Sequence, residues 1–251
     1  MSGSWIPADW PAPDNVVSGT TLRTGGVSCG EFASLNLADH VGDESAAVSE
    51  NRHRFRSNFS LPCEPDWLNQ VHGTDVARGN CAASPHEADG IVATEAGVVC
   101  AVLTADCLPV LLTTAEGTSV AAAHAGWRGL SAGILEATIA ALEEAPERIL
   151  VWLGPAISQP AFEVGDEVRE QFTSQFEAAE ACFSANDSGR WQADLYGLAT
   201  LRLQACGVTR IFGGGLCTHA EEERFFSYRR DGRCGRMATF IYRKGGQSFL
   251  A

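Results

Sequence analysis

Short, nearly continuous apolar runs recur along the chain and constrain its fold more than any other feature of the sequence. Runs of this length and character are typical of β-strands that are buried on both faces. We therefore predict strands at Val16–Leu22, Trp67–His72, Gly90–Ala93, Val98–Leu103, Leu108–Thr113, Ser119–His124, Ile149–Leu153, Val208–Phe212 and Met237–Tyr242.

Helical patterns are fewer than strand patterns. Apolar side chains at helical spacing, with Pro146 just beyond them, predict a helix at Gly129–Glu143. Similar patterns predict helices at Asp43–Phe59, Gly165–Phe176 and Gln192–Cys206. Because strands and helices do not alternate regularly, the sequence favours a mixed α/β (α+β) fold with a large sheet system. No internal repeat or charge block divides the chain, so we interpret residues 1–251 as one domain.

Charge and composition exclude several classes of partner. The formal net charge of −13 argues against nucleic-acid backbones and anionic membranes, which bind clustered cationic charge. The N-terminal residues lack the pattern of a secretory signal, and the longest apolar stretch is interrupted by Asp106 and Pro109. The nine scattered cysteines do not resemble a disulfide framework. We therefore expect a cytoplasmic protein without a membrane span, in which most thiols are small buried groups.

Two histidines and one cysteine stand where apolar runs end, namely His72, Cys107 and His124. Two imidazoles and one thiolate can hold a zinc ion and leave one coordination position open, as catalytic zinc sites do. Gln70 and Asp106 adjoin them and are candidates for orienting the imidazoles. The same residues also suit a nucleophilic Cys–His pair. Their intervals of 35 and 17 positions match no local ligand motif, so both interpretations stay open at this point.

Several loops combine polar side chains with turn glycines and are candidates for substrate binding. After His124, Gly126 and Gly129 lead into the predicted helix, whose free N–H groups and Arg128 would suit an anion. Comparable loops follow Arg23, Ser34 and Phe225, and they suit a polyhydroxylated or anionic ligand. The predicted substrate contacts are Arg23, Asn36, Arg128, Ser227, Tyr228 and Arg229, and a weaker second ligand pair is Cys217 with His219.

Motifs along nearly the whole chain resemble the YfiH family, also called the laccase-domain or multicopper polyphenol oxidase family. The segments are Thr24-Gly-Gly-Val-Ser, Ser34-Leu-Asn-Leu, Trp67-Leu-Asn-Gln-Val-His-Gly, Thr104-Ala-Asp-Cys-Leu-Pro-Val, His124-Ala-Gly-Trp-Arg-Gly, Leu153-Gly-Pro-Ala-Ile, Phe162-Glu-Val-Gly and Phe226-Ser-Tyr-Arg-Arg-Asp. The resemblance implies a four-layer α/β/β/α fold, related to the cytotoxic necrotizing factor toxins. It also implies zinc held by His72, Cys107 and His124.

The resemblance implies three kinds of activity. Family members are described as purine nucleoside phosphorylases that act on adenosine, inosine, guanosine and methylthioadenosine and also deaminate adenosine. Others are described as copper polyphenol oxidases, and a bacterial branch as amidases that remove misincorporated L-serine from a UDP-muramoyl peptidoglycan precursor. A multicopper oxidase needs about ten histidines and commonly an axial methionine, whereas this chain has six histidines and only Met1 and Met237.

A zinc-dependent purine nucleoside phosphorylase with adenosine deaminase activity is therefore the leading expectation. Its catalytic residues would be the zinc ligands, with copper as the less favoured ion. Its partners would be a purine nucleoside and phosphate. The residues expected to donate hydrogen bonds to the phosphate are Arg23, Arg128 and Arg229. The alternatives are the muropeptide-precursor amidase, a metal-independent Cys–His hydrolase, and a binding module in which zinc only organises the fold.

Overall fold

Two facing β-sheets form the framework of the protein. The computed structural model describes residues 5–81 and 86–245. The strands in these ranges are β1 (Trp5–Pro7), β2 (Val16–Thr21), β3 (Val76–Arg78), β4 (Gly90–Ala93), β5 (Val99–Thr104), β6 (Leu108–Thr114), β7 (Val120–Ala125), β8 (Ile149–Leu153), β9 (Glu163–Val164), β10 (Phe183–Ala185), β11 (Trp191–Ala193), β12 (Arg210–Gly213) and β13 (Met237–Arg243). The α-helices are α1 (Ser45–Asn58), α2 (Trp127–Ala132), α3 (Ile134–Ala141), α4 (Asp166–Thr173), α5 (Leu195–Ala205) and α6 (Tyr228–Asp231).

The first sheet has the strand order β1-β2-β13-β5 and is antiparallel throughout. The second has the order β12-β8-β6-β7-β4-β3, with parallel pairs only at its two edges. The strands β10, β11 and β9 form a separate, small third sheet in the order β10-β11-β9. Strand β5 of the first sheet and the central strands β6 and β7 of the second are buried along their whole length, which explains their continuous apolar sequences.

Three apolar layers show how the sheets and helices are stacked. On the outer side of the first sheet, Phe55 of α1 packs in one cluster with Phe240 of β13. Between the sheets, Val102 of β5 shares a cluster with Leu111 of β6. Beyond the second sheet, side chains of β6, β7 and β8 pack with α3 and α5. The expected four-layer α/β/β/α fold is confirmed.

Most predicted elements are confirmed, and two differ for identifiable reasons. Eight of the nine predicted strands occur within two residues of their predicted ends. The helix predicted at Gly129–Glu143 begins earlier and is divided into α2 and α3 at Gly133, whose φ of 109° belongs to the left-handed region. The strand predicted at Trp67–His72 is wrong: apart from one bridge between Asn69 and Glu87, this segment is a loop.

One disulfide bond was not expected from the cysteine spacing. Cys63 is bonded to Cys81, while the other seven cysteines are free. The carboxylate of Asp66 accepts hydrogen bonds from the backbone N–H groups of Asn80 and Cys81, which brings the second cysteine close to the first. In the described ranges, no helix is long and apolar enough to cross a membrane, as the sequence predicted.

Candidate active site

The register of the second sheet brings the predicted metal ligands together. In the β6–β7 pair, Leu108 lies opposite Ala125, so the preceding Cys107 lies next to the end of β7. In the β4–β7 pair, Gly90 lies opposite Ala123, so Asp89 lies next to His124. His72 reaches the same point from the loop before β3.

The three ligand atoms are close enough for one metal ion. Cys107 Sγ is 3.8 Å from His72 Nε2, and the rings of His72 and His124 meet edge to face with centroids 4.8 Å apart. Neighbouring donor atoms in a tetrahedral zinc site are about 3.3 to 3.6 Å apart, given the usual bond lengths. The trio therefore fits zinc after small movements, and it is the one such group of three or more His, Cys, Asp or Glu in residues 5–81 and 86–245.

Asp89, a residue that the sequence motifs did not indicate, organises this site. Its fully buried carboxylate accepts hydrogen bonds from the N–H groups of Val71, His72 and Gly73, at 3.1, 3.0 and 2.6 Å. It also accepts a 2.7 Å bond from Nδ1 of His124, so Nε2 of that ring is left for a metal ion. These bonds hold His72 in the left-handed conformation, with φ of 61°.

The charged state of Asp89 is supported by its surroundings. Burial raises the pKa of this carboxyl, but the bond from His124 and those from the backbone N–H groups outweigh burial and hold the pKa below its usual value. The group is therefore an ionised acceptor at neutral pH. A carboxylate behind a metal-binding imidazole fixes the ring's orientation and increases its basicity.

Gln70 and Asp106 do not orient the imidazoles, so that expectation is corrected. The amide of Gln70 exchanges two hydrogen bonds with the backbone of Leu103, at 2.9 and 2.8 Å, and fixes the end of β5. The carboxylate of Asp106 accepts from Thr218 Oγ1 at 2.6 Å and from the N–H of Arg229 at 2.7 Å. Both side chains hold the walls of the site.

Without a metal ion, Cys107 and His124 form a thiolate–imidazolium pair. Burial raises the pKa of Cys107, but the charge of His124 and hydrogen bonds from both imidazoles lower it to about 6. Burial lowers the pKa of His124, whereas the Cys107 thiolate and Asp89 raise it to about 9. A metal ion that binds here replaces the proton of His124 and finds the thiolate already formed.

Two glycines after His124 are required by close packing. A Cβ atom on Gly126 would lie 2.8 Å from His72 Cδ2 and 3.0 Å from Cys107 Sγ. A Cβ atom on Gly129 would lie 2.9 Å from the carbonyl oxygen of Gly73. The sequence predicted an anion-binding turn at the N-terminus of a long helix. This expectation is corrected: α2 has only six residues, and the glycines at its start make room for the trio.

The trio opens into a cavity of about 520 Å³. Three predicted substrate contacts, Arg128, Tyr228 and Arg229, lie on its wall. His40 and Arg236 also line it and were not predicted as substrate contacts. The strand register explains the position of Arg236: Met237 lies opposite Thr104, so the residue before it stands beside the connection that carries Cys107.

Three other predicted substrate contacts lie away from the cavity wall and have structural partners. Arg23 donates to the carbonyl groups of Ala33 and Glu222. Asn36 is fully buried, and its side chain accepts a hydrogen bond from the N–H of Arg236. Ser227 is fully buried and caps α6. The contacts of all three in the structure are positioning ones, and their role as substrate contacts stays a prediction.

The second ligand pair predicted from the sequence receives no support. The Cys217 thiol accepts a 2.8 Å hydrogen bond from Ser158 Oγ. Cys217 and His219 belong to no metal-ligating group of three or more among the residues that the structure describes.

Comparisons with known proteins all match this chain to members of one family. Residues 17–244 match the family model described as multi-copper polyphenol oxidoreductase laccase. The chain is 51% identical to the purine nucleoside phosphorylase YfiH of Escherichia coli, over 96% of this chain and 99% of that protein. It is 49% identical to the purine nucleoside phosphorylase PA4543 of Pseudomonas aeruginosa, over 95% and 98%. The crystal structure of Neisseria meningitidis protein NMB0706 superposes with a TM-score of 0.93 at 47% identity, covering 97% of this chain and all of that one.

The substitution Asp89→Asn should weaken metal binding by roughly 10- to 100-fold, because the imidazole of His124 loses its charged partner. Zinc affinity is measured by competition with a chromophoric chelator. Asp75→Asn is the matched control, since the exposed Asp75 side chain lies near the same turn. Equal zinc affinity in the wild type and in Asp89→Asn would contradict the role assigned to Asp89.

The metal-free protein should show alkylation of Cys107 with a pH midpoint near 6, well below the value of about 8.5 for an ordinary thiol. Thiolate is the reactive form, so the rate is maximal above this pH and falls as the pH drops through it. Peptide mass spectrometry after brief iodoacetamide treatment reports each cysteine separately. Zinc should block the reaction at Cys107 and leave the exposed Cys29 unaffected.

Proposed function

Because the chain belongs to the multi-copper polyphenol oxidoreductase laccase family, whose members include the YfiH proteins, we propose that it is a cytoplasmic, zinc-dependent purine nucleoside phosphorylase. We further propose adenosine, inosine, guanosine and methylthioadenosine as substrates, and deamination of adenosine as a second reaction. The observation that carries the proposal is the match, over nearly the full length of both chains, to relatives named for this activity.

The donor set supports zinc as the metal. One thiolate and two imidazoles are the ligands that zinc prefers, and three protein ligands leave a position free for reaction. When bound, such an ion supplies Lewis acidity suited to the hydrolytic deamination of adenosine. The protein contributes Nε2 of His124, which the hydrogen bond to Asp89 fixes, and the thiolate of Cys107, which is hydrogen-bonded to both imidazoles.

The cavity supports a nucleoside and an oxyanion as ligands. Its volume lies within the range of roughly 300 to 1,000 Å³ that is usual for small-molecule sites. The exposed ring of Tyr228 offers a face for a purine or a ribose. In phosphorolysis, a phosphate oxygen forms a bond to C1′ of the ribose while the bond from C1′ to the base nitrogen breaks. Arg128 and Arg229 lie on the wall where they can bind that phosphate, whereas Arg23 does not.

Multicopper oxidase chemistry, which the name of the family suggests, is disfavoured in this chain. Six histidines are too few for a type 1 copper site together with a three-copper cluster. Of these six, His72 and His124 share the single metal-ligating group found in the described ranges, and His40 is the one other histidine on the cavity wall. We therefore prefer zinc to copper.

Zinc-loaded protein should release free hypoxanthine from inosine only when phosphate is present, and should convert adenosine to inosine without phosphate. Both products are measured by liquid chromatography. His124→Ala should lower both rates by at least about 100-fold, since it removes a metal ligand and the partner of Asp89. His53→Ala, which alters an exposed histidine on α1, is the control.

The proposal fails if the wild type forms neither product faster than His124→Ala. Release of a dipeptide from the UDP-muramoyl precursor, in the absence of nucleoside cleavage, would point to the amidase instead.

A second candidate function, a cysteine hydrolase, is favoured by one geometric observation. Cys107, His124 and Asp89 form a continuous chain in which Nδ1 of the imidazole is bonded to the carboxylate and the thiolate is paired with the imidazolium. This is the order of thiol, base and orienting group that nucleophilic catalysis requires. In this reaction the sulfur would form a bond to an acyl carbon, and the imidazolium would protonate the leaving group.

Metal removal separates the two candidates. If the hydrolase assignment is correct, the chelated protein retains activity and iodoacetamide abolishes it. If the zinc assignment is correct, exhaustive chelation lowers the activity to the level of His124→Ala, and stoichiometric zinc restores it. The melting temperature is recorded alongside, because chelation of a purely structural zinc would unfold the chain.

A further inference from the structure

The segment 229–236 contains four arginines, of which two are close to carboxylates and two are not. Arg230 pairs with Asp231 at 2.7 Å, and Arg233 lies 3.9 Å from Glu31. In the parts of the chain that the structure describes, Arg229 and Arg236 have no carboxylate within salt-bridge distance. These two unpaired guanidinium groups are the ones of the four that line the cavity.

Backbone carbonyl groups hold both of these guanidinium groups in place. Nη1 of Arg229 donates to the carbonyl oxygen of Glu163 at 3.0 Å. Nη1 of Arg236 donates to the carbonyl oxygens of Cys234 and Gly235, at 2.8 and 3.0 Å. A carbonyl oxygen fixes the position of a guanidinium without neutralising its charge, so other N–H donors of each group remain for a ligand.

The main chain ties the two arginines to the segment that carries Cys107. The N–H of Arg229 donates to Asp106, one residue before the thiol. The N–H of Arg236 donates to the buried Asn36, and the start of β13 pairs with the end of β5. Tyr228 lies beside Arg236, whose guanidinium stands 5.8 Å from the centre of the tyrosine ring.

We propose that Arg229 and Arg236 form a subsite that binds inorganic phosphate as the second substrate of the cavity. The inference rests on the proposed phosphorylase function and assigns the phosphate to one wall. Two fixed, uncompensated guanidinium groups match a tetrahedral dianion, which accepts several charge-assisted hydrogen bonds at once.

Arg128 is less suited to fix the phosphate. Arg128 is exposed, as Arg229 is, and its guanidinium stacks 4.3 Å from the ring centre of Trp127. No hydrogen bond or ion pair holds it among the described residues, so a phosphate would have to order the whole side chain at an entropic cost. The phosphate subsite is therefore on the side of α6 and β13 rather than at the start of α2.

Phosphate kinetics test this assignment. Arg229→Gln and Arg236→Gln should each raise the KM for phosphate in inosine phosphorolysis by about 10-fold or more, since each loses a charge-assisted interaction. The KM for inosine should change by less than about threefold. Arg236→Lys should lower the KM for phosphate part of the way back to the wild-type value, because lysine restores the positive charge but not the paired N–H donors of the guanidinium.

Arg233→Gln is the matched control, because Arg233 lies in the same segment and also donates to backbone carbonyl groups, but not in the cavity. It should leave the KM for phosphate unchanged. The proposal is overturned if Arg229→Gln and Arg236→Gln keep a wild-type KM for phosphate, or if Arg128→Gln alone raises it. It is also overturned if Arg229→Gln and Arg236→Gln raise the KM for inosine and the KM for phosphate equally, because the arginines would then bind the nucleoside.

Direct titration keeps this proposal separate from the proposed function. Inorganic phosphate is titrated calorimetrically into zinc-loaded wild type, Arg236→Gln and Arg233→Gln without any nucleoside. Binding to the wild type and to Arg233→Gln, with at least about 10-fold weaker binding to Arg236→Gln, supports the subsite even if no nucleoside is cleaved. Equal binding to all three proteins overturns it even if the wild type is an active phosphorylase.

Discussion

The buried carboxylate of Asp89 is the interaction on which the rest of the site depends. It binds three successive N–H groups of the turn that carries His72, and it binds the imidazole of His124 at the end of β7. One ionised group thus fixes two metal ligands that are 52 positions apart in the chain. Since a buried charge is stable only when it is fully paired, the turn and the imidazole depend on Asp89 as much as it depends on them.

Alternating charge continues from Asp89 through His124 to Cys107. In the metal-free protein these groups are a carboxylate, an imidazolium and a thiolate, so each charge lies beside an opposite one. A divalent ion can replace the imidazolium proton without moving either anion, which is why one arrangement suits both a zinc site and a thiol nucleophile. Metal occupancy, rather than geometry, therefore decides between the two chemistries.

Strand ends, more than spacing, made Cys107 and His124 predictable from the sequence, whereas His72 was predicted at the end of a strand that the structure does not contain. Cys107 and His124 stand where buried apolar runs stop, and the antiparallel register brings those ends together. Asp89 was not predictable, because an Asp-Gly pair before a strand resembles an ordinary turn and its partners lie 16 to 35 positions away. Asn36 and Ser227 were predicted as substrate contacts because they belong to polar loops. Both are fully buried, and they bond to the backbone that positions Arg236 and Arg230.

The two halves of the cavity come from different sheets. The second sheet supplies Cys107 and His124 through β6 and β7, and His72 through the loop before β3. The segment before β13 of the first sheet supplies Arg229 and Arg236. Asp106 links the halves, because it lies next to Cys107 and accepts the N–H of Arg229. The proposed metal site and the proposed phosphate subsite of such a cavity can be altered separately by mutation. If deamination uses the first and phosphorolysis uses both, one pocket can serve the two reactions without two nucleoside sites.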